Sequence, residues 1–324
     1  MRISFVIPCY RSEKTIEGVV AEIKSVVGQH SDVDYEIIMV SDHSPDGVYQ
    51  VIERMCHDDP VHLRGLELAR NFGQPAAQMA GFAQATGDIV FSLDDDGQAP
   101  VDAIYKVVDR LVEGGNDVVY GAYPRKRHNV FRNLGSWVNH LMAVWLIGIP
   151  HGMYTTSFFA VRRFVVNEML KYNGPFPYLS GLIFRTTRSV STVEVEHRRR
   201  AAGASGYTLG KLLKLWVNGF TAFSVAPLRL ASYAGVICAI AGFCYGLWTV
   251  IHKLFIHPNM PIGYSSIMSV MLFIGGMLML MLGLIGEYVG RIYICLNRSP
   301  QYVVSRATFD GCGGGKTGGR DDAR

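Results

Sequence analysis

Two long stretches without a charged side chain limit what the C-terminal third of this chain can fold into. Residues 231–251 contain no Asp, Glu, Lys or Arg, and neither do residues 254–286. A helix that crosses the hydrocarbon core of a bilayer needs about 20 such residues. Buried helices of soluble proteins are usually shorter, and one of their faces is polar. The pattern therefore predicts two transmembrane helices, at about 231–252 and 265–287, within a membrane region of residues 228–296.

The distribution of basic residues predicts the orientation of these two helices. The connector at 257–264 contains no Lys or Arg. Basic residues flank the outer ends of the pair instead, namely Lys211, Lys214, Arg229, Arg291, Arg298 and Arg306. Positive residues stay on the cytoplasmic side of a membrane, so both termini and the N-terminal domain are expected in the cytoplasm. No signal peptide is expected, because residues 3–7 form a short strand-like run that ends at Pro8. In a bacterium the membrane would be the plasma or inner membrane.

Composition narrows the class of protein and the domain plan. Hydrophobic residues make up 49% of the 324 residues and charged residues 18%, which excludes a disordered or collagen-like chain. The number of basic residues (31 Lys and Arg) is too close to the number of acidic residues (27 Asp and Glu) for a dedicated nucleic-acid-binding protein. We predict a cytoplasmic domain at 1–208 and an interfacial amphipathic helix at 209–227, where apolar residues and two lysines recur at helical spacing. The glycine-rich end predicts a largely disordered cytoplasmic tail at 297–324.

The first 200 residues alternate short β-branched runs with helical patterns. Strands are predicted at 3–7, 35–40, 63–68, 89–93 and 117–121, and helices at 15–27, 49–55, 74–84 and 101–111. This alternation predicts an α/β domain with a mostly parallel sheet covered by helices on both faces. Ligands of such sheets bind beyond the carboxyl ends of the strands.

An acidic triplet, Asp94 to Asp96, follows the fourth predicted strand. Adjacent carboxylates repel one another, and a bound divalent cation would offset that repulsion. Alternate residues of an extended segment point to the same side, so Asp94 and Asp96 can converge on one ion. Carboxylates together with substrate phosphates suit Mg²⁺ or Mn²⁺. Solvated loop charge is the alternative interpretation. No GxGxxG follows the first strand, which argues against a dinucleotide oxidoreductase.

Six segments of the chain resemble motifs of the family 2 glycosyltransferases with the GT-A fold, especially the branch that transfers sugars to polyprenyl phosphates. IPCYRSE resembles PxYNE, and VSDHSPDG resembles VDDGSxDG. LARNFGQPAAQMAGFAQATGD resembles RNxGxxxAxxxGxxxAxGD, and SLDDDGQAP resembles LDADLQDP, which carries the DXD motif. RNLGSWVN and RAAGASGYTLGKL resemble acceptor-site elements, the second of them RxxGxSKY. The resemblance covers residues 1–296. It implies a Rossmann-like GT-A nucleotide-sugar domain, followed by interfacial helices and two transmembrane helices.

The resemblance also implies roles for individual residues. The expected nucleotide-sugar pocket consists of Pro8, Tyr10, Glu13, Asp42 and Asp94. The expected metal ligands are Asp94, Asp96 and Gln98. Residues expected to handle donor and acceptor phosphates are Arg132, Ser136, Arg200 and Ser205, with Arg125 and Arg127 as further members. Among all of these, Asp94, Asp96 and Arg132 are the expected catalytic residues.

The implied reaction is metal-dependent transfer of a sugar, with inversion, to undecaprenyl or dolichyl phosphate. UDP-glucose or another UDP-hexose is the expected donor, and a homo-tetramer is compatible with the resemblance. Two alternatives remain at this point. A processive polysaccharide synthase of the same superfamily would carry a QxxRW motif and more membrane spans. A catalytically silent, membrane-anchored nucleotide-binding or scaffold protein would not need the acidic triplet.

The chain departs from the family pattern at five positions. Ser41 and His43 replace the first Asp and the Gly of the VDDGSxDG element, and Gly206 replaces the Lys of SKY. Met153 and Phe159 stand where relatives often carry Asp and Arg. These changes bear on the identity of the donor sugar more than on the type of reaction.

Overall fold

The computed structural model of this chain describes most of the predicted soluble domain and part of the predicted membrane region. The described ranges are 1–30, 33–123, 155–175, 177–196, 263–297 and 299–309, together with a few isolated positions between them. The chain divides into two compact units. One comprises Met1–Tyr207 with Arg298–Arg324, and the other comprises Thr208–Asn297.

The first unit is built on an eight-stranded mixed sheet. Its strands are β1 (Arg2–Cys9), β2 (Asp34–Ser41), β3 (Leu63–Leu68), β4 (Ile89–Ser92), β5 (Val118–Ala122), β6 (Phe159–Arg162), β7 (Val190–Glu194) and β8 (Val304–Ala307). Their order across the sheet is β7-β5-β6-β4-β1-β2-β3-β8. Strands β4, β1, β2 and β3 are parallel neighbours, as are β5 and β7. Strand β6 runs antiparallel to both β4 and β5, so the expectation of a mostly parallel sheet is corrected to a mixed one.

Helices cover both faces of this sheet, as predicted. They are α1 (Ile16–Val27), α2 (Val48–Asp58), α3 (Gln74–Gln84), a 3₁₀ turn at Val101–Ala103, α4 (Ile104–Val112), α5 (Arg163–Met169) and α6 (Leu179–Thr186). Side chains of β1 alternate between two hydrophobic clusters. Phe5 and Ile7 pack in one cluster with α1, α2 and α4, whereas Val6 packs in the other with α3, α5 and α6. Burial on both faces explains why β1 is apolar at consecutive positions from Phe5 to Ile7.

Strand β8 was not predicted, because it lies in the segment assigned to a largely disordered tail. It runs antiparallel to β3. The Ala69 N–H donates to the Val303 carbonyl oxygen at 2.8 Å, and the Arg306 Nε donates to Glu67 at 2.6 Å. The described part of the predicted tail, up to residue 309, therefore completes one edge of the sheet. A four-residue strand owes its conformation to a partner more than 200 residues away, which no local pattern reveals. Residues 310–324 lie outside the described residues.

The second unit contains helix α7 (Tyr264–Leu296), a helix of 33 residues. Its segment Phe273–Gly290 is long and apolar enough to cross a membrane, and it is the one such segment in the part of the chain that the structure describes. This helix includes the second predicted span. Of the first predicted span only isolated positions are described, and these are helical. Two transmembrane helices are therefore not confirmed, and the predicted interfacial helix at 209–227 lies outside the described residues.

Helix α3 lies so close to the sheet that a methyl group at Gly81 would meet the sheet side chains. A Cβ atom there would lie 2.3 Å from Cγ1 of Val6 and 3.2 Å from Cγ2 of Val40. We expect Gly81→Ala to destabilise the protein by about 1–3 kcal/mol through overpacking. That loss lowers the thermal unfolding midpoint by about 2–4 °C per kcal/mol. Circular dichroism of the full-length protein in detergent measures the shift.

Gly18 supplies the matched control, because a Cβ atom at this position of α1 would meet nothing within 4 Å. Gly18→Ala should leave the midpoint unchanged or raise it, since alanine favours a helix over glycine by about 1 kcal/mol. Equal midpoints for the two variants would contradict the close packing of α3 on the sheet.

Candidate active site

Three loops meet at the end of the sheet where β4, β1 and β2 terminate, because these parallel neighbours have their carboxyl ends side by side. The loop after β1 begins at Tyr10, the loop after β2 begins at Asp42, and the loop after β4 begins at Leu93. Open α/β sheets bind their ligands in this position. The described members of the predicted site, Pro8, Tyr10, Glu13, Asp42, Asp94, Asp96 and Gln98, all lie on β1 or in these loops.

Hydrogen bonds join the first two of these loops. The Arg11 N–H donates to Oγ of Ser44 at 2.7 Å, and the Glu13 N–H donates to Asp46 at 3.1 Å. In the opposite direction, the Gly47 N–H donates to the Glu13 carboxylate at 3.1 Å. Glu13, predicted to line the nucleotide pocket, thus also holds the loop after β2 in place.

Asp42 is buried and forms hydrogen bonds with backbone groups of β1 and of the segment just before α3. Its carboxylate accepts N–H hydrogen bonds from Phe72 at 2.7 Å and from Gly73 at 2.8 Å. Its own N–H donates to the Cys9 carbonyl oxygen at 3.1 Å. Burial raises the pKa of Asp42, although the two amide hydrogen bonds act in the opposite direction. Asp42 therefore connects β1 and β2 to the start of α3, through its backbone N–H on one side and its carboxylate on the other, a role that the sequence did not indicate.

The first Asp of the acidic triplet is fixed by two neutral donors. One oxygen of Asp94 accepts from the Gln74 side-chain amide at 2.8 Å, and the other accepts from the Ser157 hydroxyl. Burial and the charge of Asp96 both raise the pKa of Asp94, against the effect of these hydrogen bonds. The carboxylate is oriented, but its negative charge has no cationic partner among these contacts.

The Asp96 side chain stabilises a turn at the end of the same loop. Its Oδ1 accepts the Gln98 N–H at 3.0 Å, and Gly97 between them has a φ of 71°, which favours glycine. Burial, with the charges of Asp94 and Asp96, raises the pKa of Tyr123 to about 12. The charges of both carboxylates thus act on the same hydroxyl, and the convergence of Asp94 and Asp96 on one ion stays a prediction.

The carboxylate oxygens in this loop suit a divalent cation whose remaining ligands come from a bound nucleotide. Within the described residues, no three His, Cys, Asp or Glu side chains form a complete metal site. Mg²⁺ and Mn²⁺ are commonly held by one or two carboxylates, with substrate phosphates and water completing the coordination. Asp94 and Asp96 could provide such a pair of oxygen ligands, and a cation between them would relieve their repulsion. Gln98, the third predicted ligand, contributes its backbone amide to Asp96.

Asp95, the middle residue of the triplet, was not predicted as a site residue. Its carboxylate accepts the Tyr10 N–H at 2.9 Å, and its carbonyl oxygen accepts the Thr15 hydroxyl at 2.7 Å. Burial raises the pKa of Asp95 to about 6. The Asp95 carboxylate therefore contacts the loop after β1, whereas that of Asp94 contacts Gln74 and Ser157. Alternation along an extended segment would also turn Asp95 away from its two neighbours, and this signal could have identified it.

The remaining predicted residues lie outside the described residues. They are Arg125, Arg127, Arg132, Ser136, Arg200 and Ser205. Phe159, one of the five departures from the family pattern, is buried on β6, where its ring lies 5.3 Å from that of Tyr120. It is a core residue.

Comparison with known proteins adds three findings. The sequence pattern described as "Glycosyl transferase family 2" matches residues 4–170, and the one described as "GtrB C-terminal hairpin" matches residues 226–292. The uncharacterized glycosyltransferase YkcC of Bacillus subtilis is 32% identical over 94% of this chain and 93% of its own length. The undecaprenyl-phosphate 4-deoxy-4-formamido-L-arabinose transferase of Yersinia enterocolitica is 31% identical with the same coverage.

A solved structure supports the fold. Glucosyl-3-phosphoglycerate synthase from Mycobacterium tuberculosis, crystallised with Mn²⁺ and UDP-glucose, aligns with a TM-score of 0.50 at 19% identity. The alignment covers 68% of this chain and 76% of that one. At this identity the likeness concerns the α/β fold alone. The family match over half of the chain and the relatives over nearly all of it confirm the resemblance found in the sequence motifs: the chain is a glycosyltransferase and belongs to glycosyl transferase family 2.

Proposed function

We propose that this protein transfers a sugar from a nucleotide donor to the phosphate of a polyprenyl lipid, with inversion at the anomeric carbon. The observation that carries the proposal is the likeness, over 94% of the chain, to transferases named for undecaprenyl phosphate. That likeness extends through the C-terminal region as well as the family 2 domain. The paired carboxylates Asp94 and Asp96, beside the loops after β1 and β2, supply a site of the kind that the reaction needs.

The chemistry of the acceptor explains why no strong general base is required. The second pKa of a phosphate monoester is about 6, so the attacking oxygen is already largely ionised at neutral pH. The harder task is to bring this anion to an anionic donor. We assign Arg132 and Arg200 to the phosphates, because one guanidinium group can donate two parallel hydrogen bonds to a phosphate. Arg125 and Arg127, near Arg132 in the sequence, are assigned with them. Ser136 and Ser205 would add hydroxyl donors.

The donor would bind across the carboxyl ends of β4, β1 and β2. Asp94 and Asp96 would hold Mg²⁺ or Mn²⁺, which when bound would supply Lewis-acid stabilisation of the departing nucleoside diphosphate. Pro8, Tyr10, Glu13 and Asp42 would shape the nucleotide pocket, and Gln98 would support the metal loop. A UDP-hexose, with UDP-glucose first, is the proposed donor. The M. tuberculosis synthase of similar fold, solved with Mn²⁺ and UDP-glucose, is compatible with that choice.

A membrane anchor on the same chain suits an acceptor whose tail stays in the bilayer. Helix α7 is long and apolar enough to cross it, and the hairpin match at residues 226–292 covers both predicted spans. We propose an integral membrane protein with two spans, whose catalytic domain and termini are cytoplasmic. A homo-oligomer, such as the tetramer compatible with the resemblance, is a further part of the proposal.

A panel of labelled donors tests the reaction. Membranes containing the full-length protein are incubated with undecaprenyl phosphate, Mn²⁺ and UDP-, GDP- or dTDP-sugars, and label extracted into organic solvent is counted. We expect transfer from one UDP-hexose, and loss of that transfer when the metal is chelated. Absence of lipid-soluble product with every donor would contradict the proposal.

Asp96→Asn tests the metal loop. Removing one charged ligand should lower the transfer rate by about 100-fold or more, because a bound cation contributes several kcal/mol of transition-state stabilisation. Asp58→Asn is the matched control, since the Asp58 side chain is 72% exposed at the end of α2. It should retain the wild-type rate. Full activity of the Asp96 variant, in the presence of metal, would exclude the proposed ligand.

A reporter fused after Asn259 tests the topology. The connector between the predicted spans lacks basic residues, so we expect alkaline phosphatase placed there to be active on the outer side. The same reporter fused at Arg324 should be inactive. Phosphatase activity at the C-terminus, or none at Asn259, would overturn the proposed orientation.

A further inference from the structure

Arg11 and His43 have an unusual backbone conformation. Among the described residues they are the two non-glycine residues with positive φ, 59° and 49° respectively. The left-handed region is disfavoured for residues with a Cβ atom. Such conformations persist where the surrounding structure fixes them, and they concentrate at ligand sites. Arg11 follows β1 and His43 follows β2, so both lie at the same edge of the sheet.

The family motifs give these two positions to residue types that accept a left-handed backbone easily. The fourth residue of PxYNE is Asn, and Arg11 occupies its place. The glycine of VDDGSxDG corresponds to His43. Asn and Gly are the residues found most often at positive φ. This chain thus keeps the backbone conformation while it replaces the tolerant residues with a guanidinium and an imidazole.

The loops do not depend on these side chains for their shape. The Arg11 N–H is held by Ser44 at 2.7 Å, and the Ser44 hydroxyl donates to Asp46 at 2.5 Å. His43 lies directly between the anchored Asp42 and Ser44. Both side chains are exposed, and within the described part of the chain neither is held in a hydrogen bond or an ion pair. The guanidinium carbon of Arg11 lies 5.6 Å from the centre of the Tyr10 ring.

The sheet order places the two residues at increasing distance from the acidic pair. From β4 to β1 to β2, each step along the sheet is about 4.8 Å. In the proposed function the diphosphate lies beside Asp94 and Asp96 at the end of β4. The proposed nucleotide pocket, which includes Tyr10 and Asp42, then puts the nucleoside over β1 and β2. Resting on the proposed function, we infer that Arg11 and His43 contact the nucleoside half of the donor and set which base is accepted. Their N–H groups suit the carbonyl oxygens of a base such as uracil.

The test compares stability with nucleotide binding in the full-length protein in detergent with Mn²⁺. Arg11→Asn and His43→Gly each relieve the backbone, so the thermal midpoint should rise by about 1–3 °C. The same variants should bind UDP about 5-fold or more weakly, because each loses a hydrogen bond to the ligand. The affinity of these variants for GDP should fall less than their affinity for UDP, because guanine does not match contacts that suit uracil. His43→Asn keeps a polar group, so its UDP affinity should fall less than that of His43→Gly.

Arg54→Asn is the matched control, since Arg54 is 62% exposed on α2, and it should leave UDP binding unchanged. A gain in stability of Arg11→Asn and His43→Gly with unchanged UDP affinity would overturn the inference, because the two side chains would then make no contact with the nucleotide. A loss of stability would assign them a structural role instead. An equal loss for UDP and GDP would move the contact to the diphosphate. Failure of the wild-type protein to bind any of these nucleotides would instead refute the proposed function itself.

Discussion

The geometry of the site depends on the hydrogen bonds of Asp42. Its carboxylate accepts hydrogen bonds from the N–H groups of Phe72 and Gly73, and its backbone N–H donates to the Cys9 carbonyl oxygen. The start of α3 is thereby fixed against β1 and β2. Gln74, the first residue of α3, then orients Asp94 through its side-chain amide.

Asp95 closes this arrangement into a ring of contacts, because its carboxylate returns to the Tyr10 N–H beside Cys9. The loops after β1, β2 and β4 are therefore positioned by one another before any ligand binds. Such preorganisation reduces the ordering that binding would otherwise require. It also makes ionised carboxylates costly in this site, since burial raises the pKa of Asp94 and Asp95, as well as that of Asp42. A site of this kind favours a ligand that arrives with a cation.

Much of the fold could be predicted because its elements carry local patterns. All five predicted strands exist, and α3 has the predicted bounds, since apolar periodicity within each segment reflects burial in the sheet. Strands β6, β7 and β8 were missed because they depend on partners distant in the chain, and because no residue of β7 or β8 is fully buried, so no apolar run indicates these two strands. The role of Asp42 was missed for the same reason, because its partners Phe72 and Gly73 lie 30 residues or more along the chain. The acceptor arginines and the first membrane span stay predictions.

The most direct test of the account is the coupling between metal and nucleotide at the carboxyl edge of the sheet. UDP affinity is measured by calorimetry on the full-length protein, with and without Mn²⁺, for the wild type and for Asp96→Asn. The account predicts that Mn²⁺ tightens UDP binding by about tenfold or more in the wild type, and that the variant loses this effect. UDP binding that is indifferent to Mn²⁺ in the wild type, or full coupling in the variant, would contradict it.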